Sequence, residues 1–234
     1  MEQLLDGLRQ ALELIFSGDR QLLETTLRTL RVGFESTLLA ALVGLPLGLL
    51  LGLRSFRGRG VLAWAFNAAL RTPPVALGLI LWLLLWPDSR WGGGPLGGLG
   101  WIYSMQAIIL AQTLLALPIV VALTATAVQS VPGTLLEQAR AFGASPWRRA
   151  ALALREARVG VIAALLTALG TAMGAVGAIL VVGASFGDAT LATAALQSWG
   201  MGGQDGLAVA YGTVLLGIFV VIAAALTALQ GRRA

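Results

Sequence analysis

The sequence predicts an all-α integral membrane protein: five core transmembrane helices preceded by an N-terminal amphipathic helix. Three observations carry this expectation. Of 234 residues, 57% are hydrophobic and 12% charged, whereas a soluble globular domain has about 25% charged residues. Mean hydropathy is +0.84, and the apolar residues fall in runs near or above the ~20 that a bilayer core requires. Between the runs lie glycine-rich turns and one long polar stretch, residues 131–158.

The composition also excludes several chemistries. All the positive charge is arginine; lysine, histidine and cysteine are absent. Without cysteine there are no disulfides or thiolate sites. Without lysine there is no Walker A loop, whose lysine reaches the terminal phosphates. Without histidine a histidine-containing triad is impossible. Asp88 falls in one loop and Asp188 and Asp205 lie far apart in another, with no ligand spacing, so no metal site is expected. The net charge of +5 lies beside apolar runs and is not gathered into a patch. Membrane orientation accounts for it better than nucleic acid does.

Residues 1–33 form the first segment. Leu4, Leu5, Leu8, Leu12, Ile15 and Phe16 approximate one helical face, and Ser17-Gly18-Asp19 ends the run. Asp6, Arg9 and Glu13 make it too costly to span a bilayer, so it should lie on the membrane surface or on the body of the protein. Met1-Glu2 lacks the basic start of a cleaved signal. A second helix from Leu22 should run into the first span, residues 34–53. The transmembrane region then covers residues 34–230.

The second apolar run is residues 61–86. Arg71-Thr72-Pro73-Pro74 interrupts it, because two prolines remove donors and break the helix. The carbonyls freed at that depth need protein or water. Residues 87–100 are a turn-rich loop; Trp91, Trp101 and Tyr103 suit an interfacial aromatic belt. The third span is residues 105–129, with Gln112 and Pro118 inside it. The fourth, residues 159–182, is rich in small residues. Residues 185–206 make a loop with a short helix at 191–199, and residues 207–229 are the fifth span.

Residues 131–158 carry the strongest local signals. Thr134 and Glu137 have capping-box spacing. Gly143 suits the left-handed residue that ends a helix. Ser145 then caps a second helix with Pro146 at its first position. Leu135, Ala139 and Phe142 form a stripe, for docking another protein or for packing on the chain itself. Arg148, Arg149, Arg155 and Arg158 suit helix ends near anionic headgroups.

Glu137-Gln138-Ala139 followed by Gly143 resembles the E-A-A-x-x-x-G signature of permease subunits of bacterial type I ABC importers. Gln138 replaces the first alanine, and Ala153 with Arg155-Glu156 stands where that family has Ile-x-Leu-Pro. Arg71-Thr72-Pro73-Pro74, the run from Leu115 to Thr124 and Leu154-Arg155-Glu156-Ala157-Arg158 resemble the tungstate-type branch. The resemblance implies that 131–158 is a cytoplasmic coupling helix loop, with Leu135, Leu136, Glu137, Ala139, Phe142 and Gly143 against an ATPase. It implies a homodimer, two cytoplasmic ATPase subunits, and an extracytoplasmic solute-binding protein. ATP would be used by the partner subunit, with no cofactor bound here and no enzymatic activity of its own. The solute implied is tungstate or molybdate, with sulfate or an amino acid as alternatives.

Charge agrees with that orientation. Placing 131–158 and the C-terminus in the cytoplasm puts Arg54, Arg57, Arg59, the five arginines of the loop, and Arg232 and Arg233 inside, while only Arg90 remains in the outer loops. The N-terminus would then be outside. Candidate pathway or gate residues are Arg71, Thr72, Pro73, Pro74, Gln112, Thr167, Thr171 and Gly177. Each has a plainer reading: Arg71 snorkels to the interface, Gln112 bonds helix to helix, and small residues pack. A secondary transporter would need more ionisable residues within its spans, and a membrane enzyme would need a convergent polar cluster.

Overall fold

The computed structural model describes residues 9, 12–87, 93–183, 189–200 and 205–231. Among them every regular element is helical: α1 Arg20–Leu53, α2 Arg59–Ala69, α3 Pro74–Leu85, α4 Met105–Gln129, α5 Gly133–Ala141, α6 Pro146–Glu156, α7 Arg158–Gly174, α8 Val176–Val182, α9 Leu191–Gly200 and α10 Asp205–Gly231. A 3-10 turn, Gly97–Leu99, lies between α3 and α4. α1, α4 and α10 are each long and apolar enough to cross a membrane. Two bent pairs, α2 with α3 and α6 with α7, pass the same test together, giving up to five crossings.

The first helix starts where Asp19 accepts a hydrogen bond from the Leu22 amide at 2.8 Å, after Gly18 turns the chain at φ +67°. Its 34 residues make a rod about 50 Å long, longer than a ~30 Å hydrocarbon core. The surplus is the charged N-terminal part, where Arg20–Glu24 and Arg31–Glu35 pair one turn apart. Leu22 packs with Leu191, Ala194 and Tyr211 at that end. The opposite end reaches Leu53, beside Val128, Val131 and Val161.

The short helix at residues 12–17 packs on the body of the protein through only part of the expected face. Leu14 and Ile15 join the Leu22–Tyr211 cluster, while Leu12 and Phe16 are exposed, Phe16 at 85%. Leu4, Leu5 and Leu8 lie outside the described residues, as do Trp91 and the arginines at 90, 232 and 233.

The centre of the fold is the contact between α1 and α4. Gly44, Gly48 and Gly52 repeat every fourth residue along one side of α1, the small-residue ridge that lets membrane helices approach closely. A Cβ on Gly48 would lie 2.7 Å from Thr124 Cβ and 3.0 Å from the Val121 carbonyl oxygen. One on Gly44 would lie 2.8 Å from Val120 Cγ1, and one on Gly52 2.9 Å from Val128 Cγ1. Beyond the ridge, Ala40 packs with Ala116, Val120 and Ala168, bringing α7 onto the same pair.

Two of the apolar runs are broken, the first where its prolines place the interruption and the second where no interruption was expected. The 61–86 run is two helices bent by 103°, because Pro73 takes an extended conformation and Pro74 opens a new helix. The second piece therefore does not continue the path of the first. The 159–182 run divides at Ala175, with φ −81° and ψ 82°, into α7 and the seven-residue α8. Another expectation fails at α5. Its N-cap is Pro132, without a side-chain cap, so Thr134 already lies inside the helix and the expected capping box does not form.

Replacing Gly48 by alanine forces backbone and side chain apart across the α1–α4 seam. It should destabilise the bundle by about 1–3 kcal/mol, read as a lower apparent Tm by circular dichroism in detergent. Gly217→Ala on α10, where nothing lies within 4 Å of the added carbon, should leave Tm unchanged.

Candidate functional site

Residues 131–158 fold into a knuckle of two helices joined by the corner Phe142-Gly143-Ala144-Ser145. α5 ends in a Schellman motif: Ala144 donates its N–H to the Ala139 carbonyl at 2.9 Å, and Gly143 donates to Arg140 at 2.9 Å. Gly143 holds φ +77°, a conformation a side chain would strain. Ser145 then accepts from the Arg148 amide at 3.3 Å, and Pro146 opens α6. α6 meets α7 at 72° through buried Ala157.

The knuckle has a seated side and a free side. Leu135 and Leu136 are half-buried and pack with Val128, Val131, Ala153, Ala157 and Val161. Leu45, Leu49 and Leu53 of α1 join the same cluster. On the free side Phe142 is 92% exposed and Trp147 85%. Glu137 and Gln138 are exposed, and Ala139 is half-buried. The expected stripe therefore divides: Leu135 faces its own protein and Phe142 faces outward.

A second group forms where the two broken spans meet. Pro74 Cβ would be 3.6 Å, and the Val75 amide nitrogen 3.2 Å, from a Cβ placed on Gly177. Gln112, 0% exposed, donates from Nε2 to the carbonyl of Ala175 at 3.0 Å. That carbonyl lies at the break between α7 and α8, where the helix ladder is interrupted. The other amide atom of Gln112, Oε1, is buried without a hydrogen-bond partner. Three of the candidate pathway residues, Pro74, Gln112 and Gly177, thus surround one pair of helix breaks.

The others are more dispersed. Arg71 and Pro73 are exposed and Thr72 half-buried; Arg71 has no carboxylate partner among the described residues. Thr167 and Thr171 donate their hydroxyls within their own helix, to Ala163 at 2.8 Å and to Thr167 at 3.1 Å. Among the described residues no cluster of histidine, cysteine or acidic side chains could hold a metal ion.

A family model described as the binding-protein-dependent transport system inner membrane component matches residues 44–234. The chain belongs to that family. A probable anion ABC transporter permease of Haloferax volcanii is 39% identical over 179 residues, covering 76% of this chain and 75% of that protein. The tungstate uptake system permease protein TupB of Peptoclostridium acidaminophilum is 29% identical over 231 residues, covering 98% and 99%. Among solved structures, a chain of the MetNI methionine ABC transporter in inward-facing conformations superposes with a TM-score of 0.69 at 22% identity. It covers 90% of this chain and 97% of that chain, a likeness that shows the fold.

For this permease, two features of the candidate site lay beyond the expected residues. Trp147, like Phe142, is exposed on the knuckle; its signal was an aromatic directly after the Ser145-Pro146 helix start. Tyr103 takes φ +60°, unique among described non-glycine residues, and no sequence pattern announces that.

Gly143→Ala puts a Cβ at a left-handed residue in open space, so conformational strain alone acts. A cost of about 1 kcal/mol should speed amide exchange across residues 140–146 roughly fivefold. Hydrogen-exchange mass spectrometry of the permease in nanodiscs measures it.

Proposed function

We propose that this permease is the membrane subunit of an ABC importer for a tetrahedral oxyanion, tungstate first and molybdate next. It works as a homodimer with two cytoplasmic ATPase subunits and an extracytoplasmic binding protein. One observation carries the reading: the knuckle holds Phe142 and Trp147 out in solvent while its other side is seated on α1, α4 and α7. An exposed aromatic pair on a rigid base is the anatomy of an interface anchor. The chain has no lysine for a phosphate-binding loop, so the energy source is a separate protein. The choice of oxyanion is supported by the two relatives named for an anion and for tungstate, which cover 76% and 98% of this chain.

In this reading ATP closes the ATPase dimer against Glu137, Ala139, Phe142, Gly143 and Trp147. Leu135 and Leu136 pass the displacement to the cluster behind them. The helix breaks at Pro74 and Ala175 lie toward the pathway, together with Arg71, Thr72, Pro73, Gln112, Thr167, Thr171 and Gly177. The solute-binding protein docks at the other end of the bundle. The knuckle faces the cytoplasm, and no ATP or other cofactor binds this chain.

The deciding experiment reconstitutes the permease with its ATPase and binding protein in proteoliposomes. Tungstate-loaded binding protein should stimulate ATP hydrolysis and tungstate uptake, and sulfate or methionine should not. Stimulation by methionine, or uptake without ATP, would sink the reading.

Phe142→Ala and Trp147→Ala should each weaken ATPase binding. Truncating an anchor of about 2 kcal/mol corresponds to roughly a thirtyfold loss of affinity, measured by titrating the detergent-solubilised permease with ATPase. Leu216→Ala, on the exposed side of α10, should leave that affinity unchanged.

A further inference from the structure

α3 and α8 are both too short to cross a bilayer, at twelve and seven residues, and they lie side by side. Their backbones touch at two reciprocal points. A Cβ on Gly78 would be 3.1 Å from Ala178 Cα and 3.2 Å from its carbonyl oxygen, and one on Gly177 would be 2.6 Å from Val75 Cγ2. Leu81 and Leu85 pack with Ala178 and Val182 in one buried cluster. Little space remains for either helix to slide on the other.

The breaks that free these helices lie at the same end of the pair, since Pro74 adjoins Gly177. At the opposite end, where Leu96 and Gly94 also donate to the Leu84 and Trp86 carbonyls at 3.0 and 2.8 Å, one residue bonds to both helices. Tyr103 donates its N–H to the carbonyl of Val182, the last residue of α8, at 2.9 Å. Its hydroxyl accepts from Trp82 Nε1 of α3 at 2.9 Å. Its ring meets Trp86 edge-on, with centroids 6.1 Å apart, and Trp86 lies 4.6 Å from Trp82. With φ +60°, Tyr103 adopts a backbone that costs a side-chain-bearing residue energy. Glycine would take this conformation more easily but has no hydroxyl to offer Trp82. An observed backbone outlier that bonds to two separate helices is a place to look for a switch.

We propose that α3 and α8 form a single lever, hinged at residues 70–73 and at Ala175, and that Tyr103 latches its free end. Gln112 steadies the hinge of α8 through the Ala175 carbonyl. Release of the latch lets both helices swing together, and the transport cycle includes that release. The lever rests on contacts within this chain; its part in transport rests on the importer reading.

The test uses the complete importer in nanodiscs, with hydrogen-exchange mass spectrometry on segments 74–85 and 176–182. Tyr103→Phe keeps the ring and the N–H and removes only the acceptor for α3. If the two helices are one lever, exchange should rise about fivefold in both segments, α8 included, while residues 115–129 of α4 stay unchanged. Trp82→Phe removes the donor from the other side and should reproduce that pattern. ATP hydrolysis without binding protein should rise by a similar factor in both variants. Loosening of α3 alone, or of neither helix, overturns the lever. Loosening of both with unchanged basal hydrolysis and uptake overturns the latch's part in the cycle. If the unaltered chain assembles with no ATPase, the importer reading has failed, and the exchange result still decides the lever.

Discussion

The knuckle is joined to the membrane helices by the small apolar cluster at its base. Val128 belongs to the end of α4 and Val131 to the turn after it, Ala153 and Ala157 to the α6–α7 corner, and Val161 to α7; Leu135 and Leu136 press on them from α5, and Leu45, Leu49 and Leu53 from α1. Three spans and two loop helices therefore share one packed contact. Because such packing transmits displacement rather than absorbing it, a push on Phe142 or Trp147 reaches α4 and α7 together. Were the cluster loose, an exposed knuckle would move alone and do no work on the membrane helices.

Above that base the bundle uses closeness in place of hydrophobic driving force, which lipid does not supply between helices. The glycine ridge of α1 brings its backbone against α4, and Gly78 and Gly177 do the same for α3 and α8. Broken helices add a second constraint, because unmet carbonyls are costly at bilayer depth. Gln112 meets the carbonyl at Ala175, and Tyr103 meets the one at Val182. At the end remote from the knuckle, Thr29 accepts from the Leu191 amide at 2.8 Å and Arg28 donates to the Ala189 carbonyl at 3.3 Å. These bonds tie the start of α9 to α1.

Much of this was legible in the residues, and what was not has physical causes. Long apolar runs and prolines are local signals, so the helices and the interruption at Pro73-Pro74 were readable. Gly143 and Ser145 acted as expected because each satisfies backbone groups within a few residues. Thr134 failed as a cap because Pro132 took that position, two residues earlier. For the 12–17 helix, periodicity names a stripe but not its neighbour, here Leu191 and Tyr211. The Ala175 break carries no proline, and its support comes from Gln112, sixty-three residues away. The left-handed backbone of Tyr103 likewise depends on Val182 and Trp82. The Gly44-Gly48-Gly52 spacing was visible, but its partner helix was not.

The central claim is that the free side of the knuckle is an inner-face docking point for an ATPase. The chain has no cysteine, so Phe142→Cys creates a unique thiol at a position already 92% exposed. Its labelling by a membrane-impermeant maleimide should occur in inside-out vesicles, fail in right-side-out ones, and be blocked when the ATPase subunit is bound. Labelling from the outer face, or undiminished labelling with the ATPase bound, would contradict the account.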